Sequence, residues 1–129
     1  MIDDIGGATS QIVKLALDAA LQRHNVIANN IANANTPGFI PHEMKFETVL
    51  AQLKTSSEVL HGDSLIQDVD YLRDEVNRGK FIERKETDKV ELDVEIADMA
   101  ENVIKYRALL EGLSKRSSII HMAISGQGR

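Results

Sequence analysis

Ten positions between Leu92 and Ile124 advance in alternating steps of four and three. They are Leu92, Ile96, Met99, Val103, Tyr106, Leu110, Leu113, Ser117, Ile120 and Ile124, and all but Ser117 are apolar if Tyr106 is counted with them. Nearly five heptads of one apolar stripe specify a helix that packs along its whole length. At about 1.5 Å per residue, a helix of roughly 35 residues is about 50 Å long. That is too long for a compact domain built from a 129-residue chain. The feature points to an elongated, rod-like subunit.

A second stripe lies near the start of the chain, from about Thr9 to Asn35. Val13, Leu17, Ala20, His24, Ile27, Ile31 and Ala34 follow the same spacing, and only His24 is polar. A polar side chain on a seam can set register or act as a proton switch. The simpler reading, preferred here, is a histidine at the seam's edge with its ring tip in water. The expected organisation is a first helix over 1–36, a polar middle over 37–89 and a last helix over 90–129.

The first helix ends in an unusual run. Residues 28–39 read Ala-Asn-Asn-Ile-Ala-Asn-Ala-Asn-Thr-Pro-Gly-Phe. Asn29, Asn30, Asn33 and Asn35 fall within seven positions, although asparagine competes with the helix backbone for hydrogen bonds. Asn25, Asn29 and Asn33 are four apart and form one stripe of amides. Asn35 can serve as a helix end, but capping does not account for Asn25 and Asn29. These amides are expected to bond across a contact between subunits. The stop is specific as well. Pro37 disfavours helix at Thr36, and Pro37-Gly38 suits the two central positions of a type II turn.

Between the stripes, residues 43–54 contain Met44, Phe46, Val49, Leu50 and Leu53 and are expected to form a short helix. Lys54-Thr55-Ser56-Ser57 and His61-Gly62 read as loop. Ser64 to Arg78 mixes apolar and acidic residues without an evident period. Asn77-Arg78-Gly79-Lys80 reads as a turn, and Phe81-Ile82 as the start of an extended piece. Much of this acid-rich segment is expected to stay mobile until a partner orders it.

Composition excludes several classes. Aromatics are only 4% and tryptophan is absent, so Ala, Ile, Leu and Val must do the packing, as in helix seams. A net charge of −5 argues against a nucleic-acid partner. No apolar stretch approaches the roughly 18 residues of a membrane span, so no lipid insertion is expected. The histidines 24, 42, 61 and 121 show no ligand spacing, and cysteine is absent. No catalytic, cofactor-binding or metal site is therefore expected, and the chain does not read as an enzyme. In the last helix, acids such as Glu91, Asp93, Glu95 and Asp98 precede the bases Lys105, Arg107, Lys115 and Arg116. That order complements the helix dipole and would suit a head-to-tail stack, although a solvated charged face explains it equally well.

The Asn-rich run, with Phe39, Glu43 and Phe46 after the turn, closely resembles the signature of flagellar rod and hook proteins. The resemblance resumes at Val90-Glu91-Leu92 and Glu101-Asn102-Val103-Ile104-Lys105-Tyr106, and covers well over half of the chain. It implies a mainly α fold in which the long N- and C-terminal helices pair as an antiparallel coiled coil, joined by a short, partly irregular middle. It implies a structural subunit of a periplasmic rod at the base of the flagellum. Such a subunit would be exported without a cleaved signal peptide, which fits the acidic Met1-Ile2-Asp3-Asp4-Ile5 start. Partners implied are copies of itself, other rod subunits and an adaptor at the export gate or membrane ring. The contact residues expected are Val13, Leu17, Asn25, Ile27, Asn29, Asn30, Ile31, Asn33 and the Asn35-Thr36-Pro37-Gly38-Phe39 turn. On the last helix they are Leu92, Ile96, Met99, Val103, Tyr106, Leu110, Leu113, Ile120 and Ile124. The alternative is a helical adaptor or export chaperone of a type III secretion apparatus.

Overall fold

A computed structural model describes residues 2–59 and 63–125. Four helices and a two-stranded ribbon follow in the order α1 (Ile2–Ala32), β1 (His42–Met44), α2 (Phe46–Val59), α3 (Asp63–Asn77), β2 (Ile82–Arg84) and α4 (Leu92–Ser125). The fold is mainly α, with its long helices at the two ends of the chain. These helices run antiparallel: Asn30, near the end of α1, meets Glu95 at the start of α4, and Ala20 meets Asn102 further along.

The turn after α1 forms as its residues dictate. The Phe39 N–H donates to the Thr36 carbonyl at 3.2 Å. Gly38 has φ of 77°, the left-handed value required at the third position of a type II turn. The Cβ-less residue removes the steric penalty there.

The middle segment carries a helix, α3, that its mixed composition did not suggest. Leu65, Val69, Leu72 and Val76 are spaced four, three and four apart, and they line the inner face of α3. Val69, Leu72 and Val76 are buried. The acids between them, Asp70 and Asp74, face water, and they mask the period in the sequence. Residues 54–57, expected as loop, continue α2 to Val59. His61-Gly62 lies outside the described residues.

At the end of α3, the Lys80 N–H donates to the Glu75 carbonyl and the Gly79 N–H to the Val76 carbonyl. Together with a Gly79 φ of 80°, this is a Schellman ending. It turns the chain so that Phe81 enters the core. The ribbon then pairs His42 with Arg84, Glu43 with Glu83 and Met44 with Ile82. Backbone bonds from Lys45 to Phe81 and from Lys85 to Pro41 extend the pairing at both ends.

One core holds these elements together. Leu15 and Ala19 of α1 pack with Met44, Val49, Leu53, Val69, Leu72, Val76 and Phe81. Each fully buried aliphatic side chain contributes about 1.5–3 kcal/mol. Gln22 donates to the Val76 carbonyl, and Arg73 donates to Asp18 at 2.7 Å, tying α1 to the end of α3. Among the described residues, α4 supplies none of this core.

Candidate subunit interface and the asparagine lock

Two buried polar side chains of α4, Glu95 and Asn102, tie this helix to the rest of the chain. Asn30 is fully buried. Its Nδ2 donates to the His42 carbonyl at 2.7 Å and to Glu95 Oε1 at 3.1 Å. Its Oδ1 accepts from the His42 N–H at 3.1 Å. One amide thus fixes the end of α1, the ribbon and the start of α4.

Glu95 is 1% exposed. Its Oε1 also accepts from Lys85 Nζ at 2.6 Å. A buried carboxylate is tolerable only with such a counter-charge and hydrogen bonds. About two turns further along α4, the buried Asn102 donates to the Ala20 carbonyl at 2.8 Å. Buried amides need partners of fixed geometry. Asn30 and Asn102 therefore set the register of α4 on α1, as polar seam residues do in coiled coils.

The amide stripe expected at contacts between subunits bridges no two elements within the described residues of one chain. Asn25 and Asn29 are exposed. Asn33 turns back on its own helix, donating from Nδ2 to the Asn29 carbonyl at 2.8 Å and accepting from Thr36 Oγ1 at 3.1 Å. Within the chain, Asn33 closes the helix end. The amide that bridges elements is Asn30, on another face. The signal that would have found it lies in the partners: an Asn late in α1, and a Glu and an Asn seven apart on α4.

The apolar seam is also displaced. Residues of α4 facing α1 include Glu95, Asn102, Tyr106, Leu109 and Leu113, a face rotated by part of a turn from the expected one. Met99, Val103, Tyr106 and Leu113 are half-buried. Leu92 is 46% exposed, Ile96 54% and Leu110 47%. On α1, Ile27 is buried, while Val13, Leu17, His24 and Ile31 are half-buried at the edge and Leu21 is exposed. Asn35, Thr36, Pro37 and Gly38 are exposed and Phe39 is half-buried. The side chains of Ile120 and Ile124 lie outside the described residues. The charges of α4 include two pairs internal to the helix, Lys105 with Glu101 and Lys115 with Glu111.

Two grooves flank the α1–α4 pair. The smaller, about 210 Å³, lies beside Leu21, His24, Val103, Tyr106 and Arg107. The larger, about 580 Å³, lies on the opposite flank of α4 among Ile12, Ala16, Phe46, Leu50, Leu109 and Gly112. A third hollow, about 380 Å³, runs between the Asn33–Phe39 turn and Asp88, Lys89 and Val90. Among the described residues, no group of three acidic or histidine side chains is arranged to hold a metal ion. No helix among them is long and apolar enough to cross a membrane.

The fold pairs two long terminal helices beside the Asn33–Phe39 turn, and two comparisons with known proteins bear on this chain. Residues 15–39, the end of α1 and its turn, match the family model described as flagella basal body rod protein. Over 121 residues the chain is 28% identical to the flagellar basal body rod protein FlgB of Bacillus subtilis (strain 168), covering 92% of this chain and 94% of that relative. The chain is thus similar to flagellar basal-body rod proteins, over the turn after α1 and, more weakly, over most of its length.

Proposed function

We propose that this protein is a structural subunit of the proximal rod of the flagellar basal body. It polymerises through its terminal helices into the hollow drive shaft that transmits torque and encloses the export channel. The observation that carries the reading is the apolar surface that folding leaves uncovered. Leu21, Leu92, Ile96, Ile104 and Leu110 are all between 45% and 70% exposed. They lie on the two helices whose stripes are longest.

Scattered exposed apolar residues are ordinary, whereas a contiguous apolar face marks an interaction site. The rod similarity supplies the partner class: copies of this chain, other rod subunits and an adaptor at the rod base. Such a subunit works in the periplasm and needs no cofactor or chemistry. Stiffness in torsion comes from many parallel helix seams, each fixed in register by buried amides.

The test is complementation. Ile96→Asp and Leu110→Asp, placed in the chromosomal copy, are expected to leave the monomer folded, abolish rod assembly and stop motility. Normal rods and swimming with both substitutions would refute the reading.

A further inference from the structure

The α1–α4 pair carries an apolar ridge on one flank and an apolar groove on the other. We propose that the groove receives the ridge of a second copy, with Leu92 and Ile96 of one chain seated between α2 and α4 of the next. This inference rests on the rod reading and assigns its contact faces.

Three observations support it. The first is shape. The groove holds about 580 Å³, enough for two branched side chains, and Leu50 on its wall is itself 45% exposed.

The second is Gly112. Glycine within a helix costs about 1 kcal/mol relative to alanine. A Cβ built on Gly112 would meet nothing within 4 Å. Packing within the chain therefore gives no reason for glycine there, whereas an incoming ridge does. Ala16, Ala20 and Ala108 keep the rest of the floor low.

The third is charge. The charged residues lining the groove are Arg23 and Lys105, both cationic. Each is paired at the surface with an acid of its own chain, Glu47 at 3.9 Å and Glu101 at 3.1 Å, weak contacts that an incoming acid can exchange. The ridge at Leu92 and Ile96 is flanked by the exposed acids Glu91 and Asp93. Complementary potentials of this kind steer and align partners.

A ridge and a groove on opposite flanks make a heterologous contact. Each copy offers its ridge to the next and leaves its groove for the previous one, so the contact propagates round a helix instead of closing as a dimer.

The chain has no cysteine, which allows a direct test. Leu50→Cys and Ile96→Cys variants are mixed, induced to assemble and oxidised. The expected product is a disulfide joining the two variants. Gly112→Leu fills the groove in open space and should leave the monomer's circular dichroism unchanged. It should weaken self-association by about tenfold or more, as the loss of a central apolar anchor does. If wild-type chains assemble but the mixture gives no cross-link and Gly112→Leu assembles normally, the ridge-in-groove contact is wrong and the rod reading survives. If wild-type chains neither associate nor enter rods, both are overturned.

Discussion

Replacing Asn30 by alanine removes three hydrogen bonds at a fully buried position. The two bonds to His42 are only partly buried, and each contributes about 0.5–1 kcal/mol. The bond to the ionised Glu95 contributes about 1.5 kcal/mol or more. Glu95 has its second oxygen buried without a protein partner, so losing Asn30 leaves it on Lys85 alone. Alanine is the better helix former by about 0.5 kcal/mol. The net cost is about 2.5 kcal/mol, a large part of the 5–15 kcal/mol typical of a domain. It corresponds to a fall in Tm of roughly 10 °C for a chain of this size. Urea unfolding followed by circular dichroism measures it, with Asn29→Ala as the matched control. Asn29 is exposed, and its carbonyl remains after substitution, so its cost stays within about 0.5 kcal/mol. A loss at Asn30 below about 1 kcal/mol, or equal to that at Asn29, would refute the lock.

Three further outcomes are expected. Asn102→Ala unpins α4 from the Ala20 carbonyl and costs about 1–2 kcal/mol; cleavage by a protease should then increase within α4 before α1. Gly38→Ala places a Cβ at φ of 77° with open space around it. Its cost of about 1 kcal/mol is therefore conformational, and Gly38→Asn should recover part of it in thermal melts. The hydrogen bond and charge of Glu75 hold the Lys80 ammonium above its usual 10.5. A raised lysine value means the pair's contribution is complete below about pH 10.5 and fades as pH climbs through the folded value. The Tm gap between wild type and Lys80→Met should stay constant from pH 6 to 9 and close at more alkaline pH; a gap that opens only below pH 6 would contradict this.

The long helices were legible because their apolar periods run for many turns, and the turn was legible because Pro37-Gly38 allows few conformations. The register of α4 was not. Counting apolar residues centres the face on Leu92, Ile96 and Leu110, while the chain docks α4 through Glu95 and Asn102. A polar residue scores as outward in any hydropathy pattern, yet Asn102 is buried because the Ala20 carbonyl answers it. Asn30 was among the expected contact residues, but its role inside the chain, bridging α1, the ribbon and α4, was not evident among neighbours that look alike. The helix α3 escaped notice because its acids obscured Leu65, Val69, Leu72 and Val76. These residues pack against α1 and α2, a long-range event that a local window does not contain.

The central claim is that the chain folds around α1, the ribbon and α3, and leaves the apolar flanks of α4 for other subunits. Hydrogen exchange on the free chain and on assembled rods tests it most directly. The expected result is strong protection of residues 15–30 and 65–77 in both states. Residues 104–118 should exchange quickly in the free chain and slowly in the rod. Equal, strong protection of residues 104–118 in both states would contradict the claim, because α4 would then be stable without any partner.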